Sequence, residues 1–99
     1  MTGDLRPETR VRPRPDVLFR ELGEEAVVLD PESGIYYGLN EVGTTAWKLL
    51  AGGSRLGEVK TALLAAYDAP PERIWSDLID LIHDLSEHRL VEVLSASST

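Results

Sequence analysis

The chain has 99 residues, 42% hydrophobic and 27% charged, a size and balance that allow one small domain with a single core. Without a cysteine it has no disulfide framework, no thiolate nucleophile and no Cys-ligated zinc. The net charge is −7, and residues 16–99 hold six basic side chains against fifteen acidic ones, a local −9 that repels phosphate backbones and argues against nucleic-acid partners.

Residues 1–15 contain Arg6, Arg10, Arg12 and Arg14 together with Pro7, Pro13 and Pro15, and little apolar content. Such a stretch is expected to be an extended or disordered arm. It lacks the apolar run of a secretory signal, and no segment approaches the roughly 18–20 apolar residues of a membrane span, so no membrane partner is expected and the expected setting is the cytoplasm. The folded domain is expected over residues 16–94, with residues 95–99 frayed.

Residues 17–22 and 25–30 read as short strands separated by Gly23-Glu24, a two-residue loop that opens on glycine as a type II′ turn does. Pro31-Glu32-Ser33-Gly34 is a second turn, and Ile35, Tyr36, Tyr37, Gly38 and Leu39 form a third run rich in aromatic and large apolar types. Three strands joined by two tight turns make an antiparallel meander whose first and third members lie at the edges.

Asn40 offers a side-chain oxygen to cap a helix on which Val42, Ala46, Leu49 and Leu50 recur at helical spacing, with Trp47 beside them. Gly52-Gly53 ends that helix, and Ser54 is expected to cap a second over residues 55–67, with Leu56, Val59, Leu63 and Leu64 on its apolar face and Gly57 weakening its first turn. Pro71 suits the first position of a third helix that runs to about residue 87 or 88. On it Ile74, Leu78, Leu81 and Leu85 make the narrow stripe expected to face the core. Trp75, Ile79 and Ile82 widen the apolar arc, while Asp77, Asp80, Asp84 and Glu87 occupy the other flank. Residues 89–94 read equally as a packed extension or a strand. The fold class is therefore α+β: a winged-helix-like domain, with a three-stranded antiparallel meander followed by three α-helices.

Signals for catalysis are weak. Gly52-Gly53 has neither the spacing nor the lysine of a phosphate-binding loop. His83 and His88 are five positions apart, about 140° around a helix, and so do not share a face as paired metal ligands would. Asp77, Asp80 and Asp84 do share a face, but without a glycine-bearing loop they resemble a solvated acidic side. No strained nucleophile turn supports a serine triad. Neither metal nor cofactor is expected, and the chain reads as a non-enzyme.

A binding module has better support. The third run carries no proline, lysine or bulge to protect an edge, and the third helix has surplus apolar surface. If the two lie side by side, an extended peptide would add as a further strand. A winged helix-turn-helix that reads DNA fits the same elements, but its recognition helix would bring four carboxylates to the phosphates. A structural adaptor subunit is the third reading.

The pattern Asp30, Gly34, Tyr36-Tyr37, Leu39-Asn40, Gly43, Trp47 and Leu49-Leu50 resembles the PqqD-like family, the precursor-peptide recognition elements (RiPP recognition elements) of ribosomally made, modified peptides. The likeness spans residues 16–93. It implies the winged-helix-like fold just described, no catalytic activity, and capture of a leader peptide between the third strand and the third helix. A separate, cysteine-free copy looks most like the leader-binding subunit of split lasso-peptide systems, which implies a leader of Tyr-x-x-Pro type, a partner cysteine leader protease and an asparagine-synthetase-like cyclase. Carried onto this chain, the resemblance places peptide contacts at Ile35, Tyr36, Tyr37, Gly38, Leu39, Trp75, Leu78, Ile79 and Ile82, with Asp77, Asp80 or Asp84 open to a basic leader residue. The chain departs from the family where a Glu-Gly-Leu-like turn often closes the third helix: here it has His88-Arg89-Leu90.

Overall fold

The computed structural model describes residues 5–94, which form strands β1 (Arg10–Pro13), β2 (Leu18–Leu22), β3 (Glu25–Leu29) and β4 (Tyr36–Leu39), helices α1 (Glu41–Ala51), α2 (Leu56–Ala66) and α3 (Pro71–Glu87), and a last strand β5 (Val91–Leu94). The expected meander is present as an antiparallel sheet in the order β2-β3-β4. Gly23 makes its first turn at φ 70°, while Glu24 stays out of the left-handed region, the combination a II′ turn requires. Asp30 builds the second turn: its carboxylate accepts from the Glu32 N–H at 3.1 Å and the Ser33 hydroxyl at 2.9 Å, and Gly34 follows at φ 77°. Strand alternation then sorts the side chains. Ala26, Val28 and Leu39 are buried on the core face, with Phe19 and Tyr37 packed beside them, while Leu18, Leu22 and Tyr36 stand exposed on the other face.

Asn40 caps α1 as its sequence position suggests, accepting from the Gly43 N–H at 2.8 Å. A Cβ on Gly43 would meet Asn40 Oδ1 and Leu39 Cδ2 at 3.3 Å each, so the glycine lets the cap close onto the helix. Ala46, Trp47 and Leu50 are buried, and the Trp47 ring stacks on Phe19 with centroids 6.0 Å apart. This ties α1 to the sheet.

Two expectations about the N-terminal stretch and α2 are corrected. Arg10–Pro13 is not part of a disordered arm: it is a strand antiparallel to β5, in register from Arg10↔Leu94 to Pro13↔Val91, with Val11 only 1% exposed. Averaging over fifteen residues hid a short Arg-Val-Arg alternation that buries one apolar side chain and gains a ladder. Nor does Ser54 cap α2; Arg55 holds that position, and its backbone N–H donates to Glu58 Oε1 at 2.7 Å. The next two N–H groups, of Leu56 and Gly57, donate to the carbonyls of Thr9 and Pro7 at 2.9 and 2.7 Å. The N-terminal segment thus satisfies donors that the first turn of a helix leaves unpaired. Gly57 is what permits this approach, since a Cβ there would lie 3.0 Å from Pro7 Cβ and 3.1 Å from its carbonyl oxygen.

Helix α3 starts at Pro71 and buries Ile74, Leu78, Ile82 and Leu85. Ile82, expected in the groove, is a core residue at 0% exposure, and Leu81, expected in the core, is only half-buried. Both sets have helical spacing, and with every candidate apolar the sequence gives no basis for choosing between them. The helix ends with Arg89 at φ 59°, its N–H bonded to Ser86 O at 3.0 Å and that of Leu90 to Leu85 O at 2.9 Å. This is the paired closure usually built on glycine, with Arg89 in the left-handed position at a cost of about 1 kcal/mol and Leu90 fully buried behind it. Residues 91–94 are therefore a strand, which settles the open reading of that segment. The expectation of fraying at 95–99 lies outside the described residues.

Candidate functional site

The site starts from the outer edge of β4. The Asp30 N–H donates to the Ile35 carbonyl at 2.8 Å, and the ladder continues in register through Leu29↔Tyr36 to Ala26↔Leu39. Hydrogen-bonded pairs alternate in an antiparallel ladder, so Tyr37 and Leu39 turn their backbone groups to β3 while those of Tyr36 and Gly38 point away from it. Among the described residues no strand takes that side of β4. Tyr36 is 71% exposed, Gly38 is exposed, and Ile35 at 39% precedes the strand rather than opening it.

Beside this edge lies a cleft of about 510 Å³ between the start of α1, the end of α2 and one flank of α3. Ala46, Leu63, Ile74 and Leu78, all nearly fully buried, line it, with half-buried Val42 and Leu81. Its polar lining comprises Asn40, Tyr67, Asp68, Arg73, Asp77, Asp80 and Asp84. Tyr37 joins strand to helix: its hydroxyl donates to Asp84 Oδ2 at 3.0 Å, and its ring meets the His88 ring edge-on at 5.4 Å. Burial chiefly, then the Asp84 hydrogen bond and charge, hold the Tyr37 phenol above its ordinary pKa. At the far end the Tyr67 hydroxyl lies 3.0 Å from Thr45 Oγ1, tying the α2 terminus to α1.

Of the residues singled out in the sequence, Tyr37, Leu78, Asp77, Asp80 and Asp84 meet at this cleft, with Tyr36 and Gly38 on the adjoining edge. Leu39, expected among the peptide contacts, is instead a core residue, because strand alternation turns it to the same face as Tyr37 and the helices cover it. Trp75, Ile79 and Ile82 do not line the cleft. Trp75 lies under Lys60 of α2, whose Nζ is 5.7 Å from the ring centroid, and Ile79 follows one turn later on the same side. The flank of α3 beside β4 is thus the carboxylate flank with Leu81, not the surplus apolar stripe. Val42, Leu63, Tyr67, Asp68, Ala69 and Arg73 were not legible as site residues, because only the packing of α2 against α1 and α3 brings them here. No group of three or more His, Asp or Glu side chains suited to a metal ion occurs among the described residues.

A three-stranded sheet with a free edge, set against three helices, defines the class, and the sequence places the chain within it. The chain belongs to the PqqD family: the family model described as coenzyme PQQ synthesis protein D matches residues 25–91. Among solved structures it is similar to TbiB1 in complex with the TbiA(beta) leader peptide, at 31% identity and a TM-score of 0.77, over 82% of this chain and 94% of that one. It is also similar to a lasso peptide synthetase B1 complexed with its leader peptide, at 25% identity and a TM-score of 0.74, over 86% and 98% of the two chains. No curated protein matches the chain. The motif that carried the resemblance is largely scaffold: Asn40 caps, Gly43 makes room for the cap, and Trp47 and Leu50 are core.

Proposed function

We propose that this protein binds the leader segment of a ribosomally made precursor peptide, of the lasso class, as a fourth strand on β4 beside α3. The bound leader is held for a partner cysteine protease and an asparagine-synthetase-like cyclase, and the protein's own part is binding rather than chemistry. The observation that carries this reading is the Tyr36–Gly38 edge, unpaired among the described residues and next to the cleft, in a fold similar to two solved structures that each hold a leader peptide. Main-chain hydrogen bonds to Tyr36 and Gly38 supply register, at about 0.5–1.5 kcal/mol net each, and alternate peptide side chains reach the cleft. No helix among the described residues is long and apolar enough to cross a membrane.

Titrating isotope-labelled protein with the leader of a lasso precursor encoded beside its gene, and with the TbiA(beta) leader, tests the proposal. The expected result is large amide shifts and slowed hydrogen exchange at Tyr36 and Gly38, with smaller shifts along α3. Shifts limited to the N-terminal residues, or none with either peptide, would sink it.

A further inference from the structure

The cleft beside β4 is apolar at its floor and negative at its rim. Asp68, Asp77, Asp80 and Asp84 stand around it against a single guanidinium, Arg73, whose Nε is 3.8 Å from Asp77 Oδ2. Asp84 already accepts from Tyr37. Asp77 and Asp80 are exposed and keep free acceptor capacity toward the opening. Beneath them Val42, Ala46, Leu63 and Leu81 offer an aliphatic wall.

These two features together narrow the occupant. An acidic side chain entering the cleft meets like charge. A purely apolar one fills the floor but strips water from carboxylates without replacing their partners. A lysine or arginine satisfies both levels, since its methylene stem packs on the apolar wall while its cationic head stays at the polar rim. Resting on the leader-binding reading above, we infer that this cleft selects a basic side chain of the bound peptide, one whose stem lies on Leu81 and Val42 and whose head sits between Asp77 and Asp80. Because side chains of an added strand alternate, only peptide positions of one parity turn toward the Tyr37 face and the cleft, while the other parity lies beside Tyr36.

The test is a charge scan of whichever leader peptide produces the Tyr36 and Gly38 shifts, each position being changed in turn to Lys and to Glu and the Kd measured. The expected result is a Lys-over-Glu preference of about tenfold or more at a position of the cleft-facing parity, weakening as salt is raised. In the folded double variant Asp77→Asn/Asp80→Asn that preference is expected to fall to about threefold or less, because the two carboxylates that the cation would meet are neutral. A flat scan from a peptide that still binds at β4 overturns the inference and leaves the function standing. A preference that survives unchanged in the double variant overturns it as well. If neither leader binds, the functional reading itself fails and the inference fails with it.

Discussion

Tyr37 is the residue on which sheet and helix meet, since its backbone pairs with β3 while its hydroxyl reaches Asp84 on α3. Its raised pKa carries a definite sign. A group whose folded pKa exceeds its unfolded value contributes stability that is fully present below about pH 10, the ordinary tyrosine value, and lost as pH climbs through the folded value. The native protein is therefore expected to lose urea resistance more steeply above pH 10 than Tyr37→Phe does. At neutral pH the variant should be weaker by about 0.5–1.5 kcal/mol, the usual net contribution of one hydrogen bond. Equal alkaline slopes for the two proteins would show that neither burial nor the Asp84 contact holds the Tyr37 phenol above its ordinary pKa. The identity of Tyr37 was readable as an aromatic of a strand, but its partner lies 47 positions away, and no local pattern announces a bond of that reach.

At the scale of elements, α3 shows where reading from sequence succeeds and where it stops. Its start at Pro71, its length and its two-sided character are all local properties, written in Pro70-Pro71, in the apolar spacing and in the aspartates. Its rotation is not local. Leu81 and Ile82 are both apolar and adjacent, and which of them enters the core depends on how α1, α2 and β5 surround the helix. The structure gives Ile82 to the core and Leu81 to the cleft, which separates two substitutions that look equivalent in sequence. Ile82→Ala is expected to lower stability by about 2–5 kcal/mol, as for other buried large-to-small changes. Leu81→Ala should cost far less stability but weaken leader binding. Denaturant midpoints and peptide titration of the two variants check both statements, and the reverse ordering would place the cleft on the other flank. The helix end was likewise hard to read because Arg89 stands where glycine is usual, so the stop signal is a backbone conformation rather than a residue type.

For the whole molecule, residues 7–13, within the stretch expected to be an extended or disordered arm, are part of the fold. Val11 fills the core, β1 pairs with β5, and Pro7 and Thr9 supply carbonyls to the first turn of α2. Removing residues 1–13 is expected to cost about 3–5 kcal/mol, from one buried valine and the lost hydrogen bonds, with a lower urea midpoint as the readout. An unchanged midpoint would mean the strand adds nothing to the domain.

That pairing has a kinetic side. The meander β2-β3-β4 and the contacts between successive helices join near neighbours in the chain, but Arg12 and Glu92, which bond at 2.9 Å, are 80 positions apart. Closing so wide a loop carries the entropy cost of nearly the full chain and gives local structure a head start. During synthesis β1 lacks this partner until β5 has left the ribosome. The β1-β5 pair is therefore expected to close after the meander that carries the peptide-facing edge, an order that pulse-labelled hydrogen exchange during refolding checks.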